Sequence, residues 1–290
     1  MARIVGVHGI AQQYRGGPEL TQQWLLDIRA GLEAAGFRST ADRLADSDMR
    51  VAFYGDLFRP PGTMSAGAPP YTVADLGPDE TELLAMLYDE AVRCQPELGP
   101  PPGAMKGSRP LPHVMLDRVL QSRALSGLAK HLLIDDLKQV NAYLDDHDQR
   151  QAVLDRLTGE MSEDVDVIIG HSLGSVVAYE FCCQAPITGV KLFVTLGSPL
   201  GIPRLIFDRL QPPPTNGRGS WPQRIPRWVN VADRKDIVAL RKELAPMFDR
   251  GPDDAQVEDR LVDNGKTPHA GGPYLNSRQT GEALGAALGE

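Results

Sequence analysis

The sixteen residues Val165 to Glu180 read Val-Asp-Val-Ile-Ile-Gly-His-Ser-Leu-Gly-Ser-Val-Val-Ala-Tyr-Glu. A β-branched apolar run enters a G-x-S-x-G pentad, Gly170 to Gly174, and a helix-forming run leaves it. A continuous apolar run of this kind is a strand buried on both faces, and such strands belong to parallel sheets covered by helices. In a chain with 29 glycines the bare pentad says little. Its position between a strand and a helix makes it a sharp turn with Ser172 at the apex. The backbone of such a serine is strained, and a Cβ two residues to either side would collide across the turn, which Gly170 and Gly174 avoid. Ser172 Oγ should therefore stand above the sheet edge, beside the free N–H groups that open the helix. The plain alternative is a glycine-softened turn with an ordinary N-capping serine.

The rest of the chain repeats the same alternation. Short strands are expected near 2–8, 49–54, 165–169, 190–196, 227–231 and 256–262, giving a mostly parallel α/β sheet of about six strands flanked by helices. Between the first two, Leu20, Trp24, Ile28 and Leu32 recur every four residues from Pro18 to about Ala35, where Gly36 stops the helix. The interval before the third strand is too long for one crossover. Pro/Gly-rich segments at 59–70 and 96–112 bracket a helix near Asp79 to Arg93, so residues 55–114 are expected to form an inserted cap. Leu116, Val119, Leu120, Leu128, Leu132, Leu137, Val140 and Leu144 continue a helical stripe that could break near Gly127, and a further helix is expected from about Gln149 to Met161. A second insertion, residues 199–226, is expected to form a lid-like loop. One domain should hold all 290 residues.

A serine hydroxyl is a poor nucleophile until a base accepts its proton and a carboxylate orients that base. On a serine elbow these partners follow in the order acid, then histidine. Of the six histidines only His269 lies beyond Ser172, in the turn-rich loop Lys266 to Pro273. A lone surface histidine is the alternative there. The acid should leave the strand Trp228 to Val231, where Asp233 and Asp236 compete. Asp236 precedes the apolar pair Ile237 and Val238 that can anchor its loop, whereas Asp233 sits where a turn cap is expected. At the end of the first strand, Val7-His8-Gly9-Ile10 can present a backbone N–H to an oxyanion, joined by that of Leu173. Ile10 is the favoured first donor, with Gly9 the alternative and His8 shaping the turn.

With Ser172, Asp236, His269 and Val7-His8-Gly9-Ile10 in view, the chain resembles the α/β-hydrolase family, particularly its lipase- and esterase-like members. The turn Thr195-Leu196-Gly197-Ser198-Pro199 adds to that resemblance. It implies a serine hydrolase that cleaves a carboxylic ester or thioester through an acyl-enzyme on Ser172, acting on a small-molecule or lipid-like acyl substrate. The same acyl-enzyme could be captured by another acceptor, making an acyltransferase, and the fold also hosts binding proteins without activity. The first strand begins too early for the family's usual leading hairpin.

Composition removes other classes. With 38 acidic residues against 30 Lys and Arg, the net charge is -8, which argues against nucleic acid as a partner. Residues 201–250 run the other way, with ten basic against five acidic residues, read as a solvated face or an anion-attracting lip. Gly265-Lys266-Thr267 resembles the end of a phosphate-binding loop, but Arg260 stands where glycine is required. No metal-ligand spacing appears, so no cofactor or metal is expected. Cys94, Cys182 and Cys183 give no disulfide framework. The N-terminus enters an apolar run directly and no run approaches the ~20 residues of a membrane span, so no signal peptide, no transmembrane segment and a cytoplasmic location are expected. The sequence carries no signal of oligomeric state.

Overall fold

A computed structural model describes residues 2–13, 15–59, 71–99, 109–125 and 130–289. Six strands, β1 (Ile4–Val7), β2 (Met49–Ala52), β3 (Val167–His171), β4 (Leu192–Leu196), β5 (Trp228–Asp233) and β6 (Glu258–Val262), form one parallel sheet in the order β2-β1-β3-β4-β5-β6. All six lie within the expected strand segments or extend them by two residues at most. The first crossover leaves β1 in one direction and the next returns to its other side, so the topological switch point lies between β1 and β3. In open α/β sheets the crevice outside the strand ends at that point is where ligands bind. In register, Val7 pairs with both Ala52 and Gly170, so the loop after β1 and the turn after β3 leave the sheet side by side.

Side-chain alternation along the strands sends residues to two separate cores. Ile4, Val167, Ile169, Leu192, Val194, Val229 and Val231 face one layer, and Val5, Val7, Ile168, Phe193 and Trp228 face the other. The first layer is built by α1 (Gly17–Ala34), joined by α2 (Arg38–Arg43), whose Leu20, Trp24, Ile28 and Leu32 are buried in the expected stripe. On the opposite face lie α3 (Pro78–Cys94), α4 (Pro112–Gln121), α5 (Lys130–Asp145), α6 (His147–Glu160) and α7 (Leu173–Gln184). The stripe after Pro112 is thus two helices; Gly127 and Leu128 lie outside the described residues. The chain ends with α8 (Gly271–Leu275) and α9 (Arg278–Leu288), which complete the α1 layer.

A buried polar cluster ties the second layer together. Glu180 of α7 accepts from Tyr143 Oη at 2.6 Å and pairs with Arg150 of α6 at 3.2 Å, and it also accepts from the Gln211 N–H at 3.0 Å. The basic residues of 201–250 are largely neutralised by acids elsewhere in the chain: Arg204 pairs with Glu82, Arg209 with Asp79 and Asp145, Arg227 with Glu258, and Lys242 with Glu90. The local charge excess therefore matches the acidic face of α3, and most of it meets a partner instead of forming an open anionic-ligand lip.

Candidate active site

β3 delivers the chain to Ser172 in a left-handed conformation, φ 53° and ψ −129°, a strained geometry for any residue with a side chain. A Cβ on Gly170 would lie 2.5 Å from Ser175 Cα, and one on Gly174 would lie 2.1 Å from the Val7 carbonyl oxygen. Glycine at both positions lets α7 start directly against the ends of β1 and β3. The turn is tied to the sheet by the Ser172 N–H, which donates to Leu196 O at 3.0 Å. The neighbouring hydroxyls are engaged elsewhere: Ser175 Oγ donates to Ser172 O, its contact with Ser198 Oγ is 2.7 Å, and Ser198 Oγ accepts from the Leu200 N–H.

His269 Nε2 lies 3.0 Å from Ser172 Oγ, and His269 Nδ1 lies 2.8 Å from Asp236 Oδ2. The three residues, 97 positions apart at the extremes, form one hydrogen-bonded chain. Asp236 is fully buried. Burial alone would raise its pKa, but the adjoining His269 ring and the hydrogen bonds from His269, Tyr274 and the Val238 N–H outweigh it and hold the carboxyl below its ordinary range. Oδ1 accepts from Val238 N–H at 2.9 Å, which leaves Oδ2 for His269 and Tyr274. Asp233 does different work. It accepts from the Lys235 N–H at 2.6 Å and from the Asn264 N–H, capping its own turn and pinning the loop that leads to His269.

Two supporting residues escape sequence reasoning. Tyr274 Oη donates to Asp236 Oδ2 at 2.8 Å and accepts from the Asp233 N–H at 2.8 Å, so one hydroxyl links both acidic loops. His171 Nε2 lies 2.9 Å from the His269 carbonyl oxygen. Burial, with the His269 ring beside it, lowers the His171 pKa to about 3, so the ring is neutral and its Nε2–H donates. Its place inside the pentad gave no hint of this contact, which needs the fold to bring residues 98 apart together.

His8 shapes the loop after β1. The Tyr54 N–H can only donate, so the His8 Nε2 that meets it at 3.1 Å is the acceptor, and Nδ1–H donates to Gly9 O at 2.6 Å. Burial holds the His8 pKa at about 4. A trans peptide sets its C=O and N–H in opposite directions. With Gly9 O held by His8, the Ile10 N–H of the same peptide points away from it. Neither the Ile10 nor the Leu173 N–H meets an acceptor among the described residues. Ile10, Ser172, Leu173 and His269 all line one cavity of about 570 Å³.

The rest of that cavity is largely apolar. Leu83 and Leu87 come from α3, Leu133, Leu137 and Val140 from α5, and Ile202 and Ile206 from the loop after β4. Beside Ile206, Leu205 and Phe207 of the same loop do not line the cavity and pack into the core. Much of the wall comes from α5, beyond residue 114. No three His, Cys, Asp or Glu side chains gather to hold a metal ion among the described residues, and no helix among them is long and apolar enough to cross a membrane. Comparison with curated proteins and with solved structures finds no significant match. A family model described as the alpha/beta hydrolase family matches residues 102–280, well over half of the chain. Together with the six-stranded parallel sheet, that match shows that the chain belongs to the alpha/beta hydrolase family.

Proposed function

We propose that the protein is a serine hydrolase that cleaves carboxylic esters or thioesters through an acyl-enzyme on Ser172, with His269 as general base and Asp236 as its orienting acid. The observation that carries the reading is the hydrogen-bonded chain Ser172–His269–Asp236 opening onto an apolar cavity. His269 Nε2 takes the Ser172 proton as Oγ bonds the substrate carbonyl carbon, and the carbonyl oxygen becomes an oxyanion received by the Ile10 and Leu173 N–H groups. His269 then gives its proton to the departing alcohol or thiol. Water repeats the sequence on the acyl-enzyme, releasing the acid and restoring Ser172.

In this reading the helices of the β2–β3 excursion and the loop after β4 form a cap over an acyl chain. Apolar side chains such as Leu83, Leu137 and Ile206 suit a hydrocarbon and give water little to bind. The test is turnover of a panel of esters and thioesters of increasing acyl length. Activity that falls at least about 10³-fold in Ser172→Ala supports the reading. Equal activity of that variant and the parent would refute it.

A further inference from the structure

The cavity contains one residue that an ester hydrolase of plain hydrocarbon chains does not need. Leu133, Asp136, Leu137 and Val140 lie three, four and seven positions apart on α5, and all four line the cavity. An acid thus occupies the middle of an apolar helical stripe. Asp136 is only 6% exposed, and its buried Oδ1 has no hydrogen-bond partner among the described residues. Its neighbour Asp135 turns elsewhere and accepts from Gln13 Nε2 at 2.6 Å and from Gln139 Nε2 at 3.0 Å. Gln12, on the loop after β1, lines the same cavity, and its buried Oε1 is likewise without a partner among the described residues. Buried polar atoms are satisfied as a rule, and an exception calls for a ligand or a function.

Resting on the hydrolase reading above, we propose that Asp136, with Gln12, binds a hydroxyl group carried on the substrate away from the scissile carbonyl. Gln12 Oε1 can only accept, so the complementary group must be able to donate. A cationic amine fits less well. Arg15 lines the same cavity, and an ammonium would lose its hydration in a largely apolar space. Burial and, after it, the adjacent Asp135 push the Asp136 pKa well above the ordinary carboxylate range, which favours a neutral partner that can both donate and accept over a charged one. The preferred substrate is then a hydroxylated acyl ester, held by its carbonyl at one end and its hydroxyl further in.

The test is a set of esters of one chain length: the unsubstituted chain, a series with a hydroxyl at successive carbons, and an amino-substituted member. The parent protein should favour one hydroxyl isomer over the plain chain by about tenfold or more in kcat/KM. Asp136→Leu should bring that ratio to about one. Asp136→Asn, which keeps a neutral donor and acceptor, should retain most of it. Because the Leu variant also removes a buried orphan, its melting temperature should equal or exceed that of the parent, which separates lost recognition from lost folding. A ratio unchanged in Asp136→Leu, or no favoured hydroxyl isomer, would overturn the proposal, as would preference for the amino ester. Fluorophosphonate labelling of Ser172 in the parent distinguishes the two failures. Intact labelling without hydroxyl preference overturns only the role of Asp136, whereas absent labelling and absent ester turnover overturn the hydrolase reading itself.

Discussion

Exchanging each of two nearby aspartates for asparagine should separate catalysis from stability. In Asp236→Asn, the retained oxygen keeps the Val238 N–H, because the opposite orientation would aim the amide NH₂ at that donor and at the Ala239 N–H. The NH₂ then faces His269 Nδ1 and drives the ring proton to Nε2, where it confronts Ser172 Oγ instead of accepting from it. The expected loss is about 10⁴-fold in kcat, or roughly 5.5 kcal/mol of transition-state stabilisation, with folding largely preserved. In Asp233→Asn one of two backbone donors, the Lys235 or Asn264 N–H, loses its acceptor. That costs about 1–3 kcal/mol of stability and several degrees of melting temperature, with kcat reduced tenfold or less. Ester kinetics and thermal melts on both variants measure this. If Asp233→Asn were the more damaging to kcat, the orienting carboxylate would be Asp233, against the hydrogen-bond geometry around His269.

Gly9→Ala should lower kcat at least about 10²-fold with little change in melting, because the added Cβ would lie 2.7 Å from Ser172 Cβ and 3.3 Å from its Oγ; unchanged turnover would show that the loop after β1 has slack. The His171 pKa, lowered to about 3 in the fold, lies below the ~6.5 of an unfolded histidine. Above that value the ring is neutral in both states and contributes nothing. Between the two, only the unfolded chain binds the proton, so stability falls as pH falls. At pH 5 the parent should have lost about 2 kcal/mol relative to pH 8 that His171→Asn does not lose, read by urea unfolding at both pH values; an equal loss in both proteins would contradict a neutral, donating His171. Arg150→Met leaves Glu180 buried without its cation and should cost about 3–5 kcal/mol, whereas a loss under 1 kcal/mol would mean that Tyr143 and the Gln211 N–H suffice.

The sheet was legible because parallel strands buried on both faces are written as unbroken apolar runs, as in Val167-Ile168-Ile169 and Leu192-Phe193-Val194. The elbow was legible because its glycines answer a steric demand that is local in sequence. Chain order and the scarcity of histidines after Ser172 pointed to His269, which does lie within hydrogen-bond distance of Ser172. What escaped was of longer range. Helix α9 buries Ala283, Leu284, Ala287 and Leu288 against α1, but its small residues and glycines give a faint apolar signal. Tyr274 and His171 act through contacts that exist only once β5, β3 and the His269 loop stand side by side. Asp136 was hidden by its own helix, since an acid on a helical stripe reads as solvent-facing until a cavity is found beneath it.

The proposed activation of Ser172 by His269 is measured most directly through the position and rate of fluorophosphonate modification, read by peptide mass spectrometry in the parent and in His269→Ala. One adduct, on Ser172, is expected in the parent, with labelling slowed by about 10³-fold or more in the variant. An adduct on Ser175 or Ser198, or labelling of Ser172 at an undiminished rate without His269, would contradict it.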